Sequence, residues 1–263
     1  MIPVFAVGAA STALRLLRGK AVLVSYAYIE KGSFVPPETL PKLTGIATES
    51  WCDSGAFTIW NRDRKPPSEK KSASTKRIDV ELWAQFIQDH AHLFTWFITL
   101  DEIGSAAGSV ENWRRLLRDV PKALHSKLVP VWHEGDPLEH LDEYEPGKRL
   151  VGLGRTKARA AGPAGLRATR EFYDEAFNAH PDGIYHFLGN CNPVTIEPYP
   201  ARSFDATTWE RDSAYGNSHG WPWSGCSKET RMKAYIEAIS TIEYRPRSTI
   251  HVAEQIDLFQ EAS

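Results

Sequence analysis

Cysteine is scarce in this chain of 263 residues: only Cys52, Cys191 and Cys226 occur, far apart and without a Cys-x-x-Cys pair. That spacing excludes a disulfide framework and a cysteine-rich zinc site, and it fits a reducing cytosol. No apolar run is long enough to cross a bilayer, and the mean hydropathy is −0.38. Excess positive charge is missing as well. The 31 Lys and Arg stand against 33 Asp and Glu, a net charge of −2, which argues against a protein that merely coats nucleic acid while leaving room for local basic patches. No Gly-x-Gly-x-x-Gly turn follows the first apolar run, so a doubly wound dinucleotide-binding sheet lacks its signature. Internal repeats and low-complexity tracts are absent. The opening MIPVFAVGAAS is apolar and ends in small residues, as a secretory segment does. No basic stretch precedes it, however, and Arg15, Arg18 and Lys20 follow at once, so it is expected to be a buried first strand of a cytoplasmic protein.

What the chain does have is rhythm. Eight short apolar runs recur: Ile2 to Gly8, Ala21 to Tyr28, Ser50 to Phe57, Trp96 to Asp101, Leu128 to His133, Leu150 to Gly154, Ile184 to Gly189 and Ser203 to Trp209. Such runs, rich in Val, Ile and aromatics, predict buried parallel strands. Helix signals separate them. Ser11 is a candidate cap for Thr12 to Arg18, and Asp79 for Val80 to His92; Ser109 to Leu124, Leu166 to Phe177 and Lys228 to Ile242 are further helices. Eight alternating strands and helices in one domain spanning residues 1–263 predict an α/β fold, a single (β/α)8 TIM-type barrel. Nine tryptophans exceed what such a core needs, which directs attention to some of them near a ligand.

In a barrel the chemistry belongs at the C-terminal strand ends. Asp53 ends the third run in WCDSGAF, with Ser54 and Gly55 making a sharp exit; Asp101 ends the fourth in ITLDE, and His133 the fifth in VPVWHEG. Gly152 and Gly154 lie in VGLGR, His186 and Asn190 in YHFLGN, and Asp205 in SFDATTW. Singly, such an aspartate commonly caps a helix or pairs with an arginine, and such a glycine serves a turn. Packing gives no reason for three acids to converge on one mouth. Two opposed aspartates suit nucleophile and acid/base roles at a sugar anomeric carbon, and a third can accept hydrogen bonds from a purine edge. Glycines at 152 and 154 would let a flat base approach. A divalent-metal site built from Asp53, Asp101, His133 and His186 is the competing arrangement, ranked lower. Two basic stretches follow strand ends: Asn61 to Arg77, with Arg62, Arg64, Lys65, Lys70 and Lys71, and Arg155 to Arg170, with Arg155, Lys157 and Arg159. Either is a solvated surface or a phosphate-binding rim, and their shared placement favours the rim.

At these residues the sequence resembles the tRNA-guanine transglycosylase superfamily, barrel enzymes that exchange guanine for a 7-deazaguanine. DSGAF (Asp53 to Phe57) looks like that family's Asp-Ser-Gly-Gly-Phe motif, LDE (Leu100 to Glu102) is similar to its substrate-recognising strand end, and VGLGR resembles its glycine-rich base-binding segment. The resemblance covers residues 50 to 210 by motif order. It implies Asp205 as nucleophile, Asp53 as acid/base or base contact, and Asp101 as recognising the deazaguanine, with Ser54, Gly55, Gly152, Gly154, His186 and Trp209 around the substrate. His133 stands where the family has a glutamine. The cysteine-histidine zinc site of the tRNA enzymes is missing, and the chain is shorter. With SFDxTTW and HxLGN, these departures look more like the DpdA-type branch of phage and bacteria, which installs 7-deazaguanines in DNA. The resemblance thus implies a base exchange with no cofactor and no metal, acting on DNA and a free base such as preQ0, in the cytoplasm of a bacterial or phage-infected cell. Trp209, Trp221 and Trp223 are candidates to stack on a flipped base or simply to pack. Exchange on tRNA, a base-releasing nucleoside or DNA glycosidase, and a non-catalytic nucleic-acid-binding barrel are the alternatives; the three aspartates count against the last.

Overall fold

The computed structural model of the chain describes residues 1–8, 10–30, 35–63, 78–155, 162–206, 209–210 and 226–246. Nine parallel strand segments form one sheet: β1 (Ile2–Val7), β2 (Ala21–Ser25), β3 (Ser50–Asp53), β4 (Trp96–Ile98), β5 (Leu128–Val129), β6 (Val131–His133), β7 (Leu150–Gly154), β8 (Ile184–Phe187) and β9 (Ser203–Ala206). Their order is β5-β4-β3-β2-β1-β9-β8-β7-β6. The two ends of that order, β5 and β6, are consecutive pieces of one run, divided at Pro130, which has no N–H to give to a ladder. Val129 still accepts from the Thr99 amide at 2.9 Å, while the Pro130 carbonyl accepts from Gly152 at 2.8 Å. The run therefore hands over from β4 to β7, and the sheet closes into a barrel of eight strand runs, as the spacing of apolar runs predicts.

Helices fill the connections: α1 (Ala10–Leu16), α2 (Tyr26–Glu30), α3 (Leu40–Ile46), α4 (Ala56–Asp63), α5 (Val80–His90), α6 (Ala106–Asp119), α7 (Leu138–Glu143), α8 (Pro163–Ala179), α9 (Pro193–Ile196) and α10 (Lys228–Ser240). Asp79 caps α5 as expected, its side chain accepting from the Leu82 amide at 2.9 Å. Elsewhere local details differ from the expectation. α6 begins at Ala106, capped by Ser105, ahead of the expected start at Ser109; α1 starts at Ala10, ahead of Ser11; and the second run turns helical at Tyr26, leaving a strand that ends at Ser25.

Alternation along each strand separates two cores. Val4, Leu23, Trp51, Ile98, Val129, Val131 and Leu150 fill the barrel interior. Their sequence neighbours Phe5, Val22, Cys52, Phe97, Leu128, Trp132 and Val151 point outward, into the layer under the helices. The outer layer absorbs much of the tryptophan excess. Trp132 stacks on Phe172 of α8 at 5.1 Å, Trp113 of α6 meets Tyr144 edge-on, and Trp83 of α5 meets Phe97 edge-on. At the N-terminal end of the barrel Arg202 grips Glu49 through two contacts of 2.5 and 3.1 Å. The Trp96 indole donates to the same Glu49 at 3.1 Å and lies 5.1 Å beneath the Arg202 guanidinium. This group closes the end remote from the aspartates.

Phe97 has no exposed surface and bridges β4 to α5. Phe97→Ala is expected to cost about 3–5 kcal/mol, the range for large-to-small aromatic truncation. Urea denaturation should show the midpoint falling with little change in slope.

Candidate active site

Three side-chain groups meet at the C-terminal mouth, each fixed by a different part of the barrel. The first is Asp53, the last residue of β3. The chain must leave the strand sharply there, and Gly55 does so at φ +88°, a conformation open to glycine. A Cβ at Gly55 would lie 2.7 Å from the Ala27 side chain and 3.2 Å from the Ser25 hydroxyl. The turn thus lays its backbone against the end of β2. Asp53 keeps some surface at the mouth but is surrounded closely enough that its charge is poorly solvated. That burial, with the charge of Asp101 next and that of Asp205 less strongly, raises its pKa to about 7, against the lowering pull of the Gly55 amide and the Ser25 hydroxyl. Asp53 therefore senses both other aspartates. Ser54, beside it, is fully buried, and its hydroxyl has no hydrogen-bond partner among the described residues.

The second group is Asp101–His133–Asp136. Asp101 follows β4 by three residues. His133 ends β6 and is 5% exposed, its Nε2 3.0 Å from Asp101 Oδ2 and its Nδ1 3.6 Å from Asp136 Oδ2. The Asp136 carboxylate also accepts from the His133 backbone amide at 3.1 Å. Burial alone would lower the imidazole pKa. Hydrogen bonds from the ring to Asp101 and Asp136, together with their charges, overcome it and raise the value to about 9. His133 is accordingly a cation between two acids at neutral pH. The glycine-rich strand β7 makes room for it, since a Cβ on Gly154 would lie 2.9 Å from His133 Cδ2. Gly152 does the same for Leu188, at 3.0 Å. These two glycines, expected to admit a flat base, make close packing between strands possible.

The third group is built around Asp205, the third residue of β9, with 6% of its surface exposed. Its Oδ1 accepts from the Gly189 amide at 2.7 Å and lies 3.2 Å from His186 Nε2. Gly189 sits at φ +61°, in a turn tied down by Asn190, whose Nδ2 donates to the Tyr173 hydroxyl at 2.9 Å and to Thr195 at 3.0 Å. His186 has no exposed surface. It stacks on the Trp51 ring at 4.5 Å, and its Nδ1 lies 2.9 Å from the Ser203 hydroxyl.

Other expected contacts fall elsewhere. Sequence reasoning put His186 against the substrate; the fold puts it behind Asp205. Trp209 is fully buried, edge-on to Phe5, its indole donating to the Ala6 carbonyl at 2.9 Å. Arg155, expected on a phosphate rim, turns to Glu134 at 3.0 Å and donates to Thr169. Arg62 lies in the last turn of α4, while Arg64, Lys65, Lys70, Lys71, Lys157, Arg159, Trp221 and Trp223 lie outside the described residues. Among the described residues no three His, Cys, Asp or Glu side chains are grouped to hold a metal ion. Asp136 was not singled out from the sequence. Its place three residues after His133, across a turn at Gly135 with φ +92°, is the only signal that would have found it.

No protein-family model and no curated protein matches the sequence. Solved structures do. A putative fructose-1,6-biphosphate aldolase from Coccidioides immitis superposes with a TM-score of 0.55 at 11% identity, covering 90% of this chain and 89% of that one. The chain is a TIM barrel. Phosphoribosyl anthranilate isomerase from Thermotoga maritima matches at TM-score 0.45 and 11% identity, over 91% and 98% of the two chains. N-acetylneuraminate lyase from Mycoplasma synoviae matches at 0.46 and 10%, over 99% and 94%. At such identities the likeness is one of fold, and this fold hosts many chemistries, so function has to be argued from the mouth.

The two perturbed groups make stability depend on pH in a defined way. His133 has a raised pKa, so its contribution is full below about 6.5, the unfolded value, and is lost as pH rises through about 9. Asp53 is also raised, so its contribution is full below 3.8 and gone above about 7. Thermal melts of the wild type, His133→Gln and Asp53→Asn between pH 4 and 10 check both. The wild-type advantage over His133→Gln should shrink between pH 6.5 and 9, and Asp53→Asn should gain on the wild type between pH 4 and 7.

Proposed function

We propose that the protein is a base-exchange transglycosylase that replaces guanine in DNA with a 7-deazaguanine of the preQ0 type, through a covalent glycosyl ester on Asp205. The observation that carries this reading is the pairing of Asp53, a carboxyl that holds its proton up to about pH 7, with Asp205, whose Oδ1 is pinned by the Gly189 amide. A proton donor and a fixed carboxylate in one mouth are what displacement at an anomeric carbon requires. Support also comes from motif order. DSGAF, LDE, VGLGR and SFDATTW, on which the resemblance to guanine transglycosylases rests, each belong to a strand run at this mouth.

Two displacements make up the reaction. A carboxylate oxygen of Asp205 attacks C1′ of the target nucleotide, which has been flipped out because C1′ cannot be reached within the stack. The C1′–N9 bond breaks, and guanine leaves with the bonding pair and a proton from Asp53. The incoming deazaguanine gives its ring N–H proton to the Asp53 carboxylate as its nitrogen attacks C1′, and the ester bond to Asp205 breaks. One glycosidic bond replaces another, so no energy source is consumed. Asp101, oriented by His133 and Asp136, would accept hydrogen bonds from the amino and imino edge of the base. The basic stretch 61–77, with Lys157 and Arg159, would supply phosphate contacts.

Guanine release from duplex DNA and from tRNA, each with and without preQ0, tests the reading. Labelled guanine should leave DNA only when preQ0 enters. Release from tRNA alone would assign the same chemistry to RNA, and release without incorporation would make the protein a glycosidase. Asp205→Asn should abolish exchange while the protein still folds and binds DNA; an active variant would remove Asp205 as nucleophile. Neutralising Arg62, Arg64 and Lys65 together should weaken DNA binding and flatten its dependence on salt, measured by fluorescence anisotropy across 50–300 mM salt. The log–log slope should fall by about 0.9 for each phosphate that is no longer neutralised.

A further inference from the structure

Asp205 is held from one side only. Both of its hydrogen bonds fall on Oδ1, from the Gly189 amide at 2.7 Å and from His186 Nε2 at 3.2 Å, and among the described residues no donor reaches Oδ2. A carboxylate offers only lone pairs to a ring nitrogen, so Nε2 is the donor. In the neutral ring Nδ1 is then the acceptor, with the Ser203 hydroxyl 2.9 Å away as its donor. The chain Ser203→His186→Asp205 has one direction, and it runs from strand β9 through β8 and back to β9. The ring is locked sideways as well: it has no exposed surface and lies on Trp51 at 4.5 Å with 29° between planes.

We infer that His186 is a positioning residue for Asp205, kept by Ser203 in the tautomer with hydrogen on Nε2, so that Oδ1 is anchored and Oδ2 faces the mouth as the attacking atom. This rests on the reading of Asp205 as nucleophile. Any buried histidine needs partners for both ring nitrogens; what marks this one is that its Nε2 falls on the same Asp205 oxygen as the Gly189 amide. With Nδ1 occupied by the Ser203 hydroxyl and the ring face by Trp51, no part of the imidazole is left to exchange a proton with substrate, which separates this role from acid/base catalysis. His186 never touches the substrate; it acts through Asp205.

Two near-isosteric substitutions separate positioning from packing. The side-chain amide nitrogen of glutamine overlays histidine Nε2, and that of asparagine overlays Nδ1. His186→Gln keeps a donor for Oδ1, whereas His186→Asn loses it and keeps only the Ser203 side. Single-turnover ester formation and steady-state exchange should show kcat reduced roughly 100-fold in His186→Asn with KM unchanged, the scale of loss for a nucleophile displaced by about 1 Å. His186→Gln should stay within roughly tenfold of the wild type, and Ser203→Ala, in which the Nε2 donor is only partly populated, should fall between the Gln and Asn variants. Equal losses in the Gln and Asn variants, tracking their melting temperatures, would reduce His186 to packing and overturn the inference, as would two variants with wild-type kcat.

A spectrum carries the inference without any activity. In ¹⁵N-labelled protein the His186 imidazole should appear as the Nε2–H tautomer, Ser203→Ala should shift hydrogen toward Nδ1, and Asp205→Ala should move the Nε2 resonance. A dominant Nδ1–H form in the wild type overturns it. If the wild type releases no guanine from any nucleic acid, the transglycosylase reading fails, while the tautomer and its response to Ser203 and Asp205 still decide the positioning role.

Discussion

Three carboxylates share one poorly solvated barrel mouth, and their mutual repulsion is the constraint around which the rest of the site is arranged. Left alone, acids in such a place would take up protons until little charge remained. Each instead has its own arrangement. Asp101 faces an imidazole made cationic by a second acid, Asp136. Asp205 takes a backbone amide and a histidine donor on a single oxygen. Asp53, with the weakest set of donors, is left holding a proton to about pH 7. Asp53 thus differs from the other two in what surrounds it, which is how like residues come to have unlike roles.

The scaffold serves that arrangement through residues that carry no charge of their own. The Asn190 bonds to Tyr173 and Thr195 fix the turn that presents the Gly189 amide. The absence of a side chain at Gly154 lets His133 lie flat against β7. The backbone of Gly55, turned against Ala27, brings an amide back onto Asp53. These are close-approach positions, where bulk rather than chemistry decides whether the acids keep their partners.

Much of this was legible in the sequence, and the reason is geometric. Parallel strands buried on both faces read as short apolar runs, and the polar residue ending such a run falls at the mouth. Asp53, Asp101, His133 and Asp205 could therefore be placed from one-dimensional information. The partners of those residues could not, because they come from other strands by register. Nothing in YHFLGN says that His186 will lie beside Ser203, yet β8 and β9 pair at those two residues, and the ring passes behind Asp205. Trp209 misled for a related reason: an indole close to a mouth turn serves a base or the core equally well by composition, and the Ala6 carbonyl decides for the core. Pro130 was invisible as a division because the run reads as continuous, whereas its missing N–H falls where the strand changes neighbours. Arg155 illustrates the limit for charges, since its pairing with Glu134 depends on β6 and β7 being adjacent.

The closed end of the barrel has a consequence for traffic. Glu49, Arg202 and Trp96 shut the N-terminal opening, and a packed interior from Val4 to Leu150 fills the middle. Anything that reaches Asp205 enters and departs by the same doorway. In the exchange proposed above, the departing and the entering base would share that doorway and use it in turn. A single-entrance vessel of this kind favours reactions that proceed by turns over those that require both reactants at once.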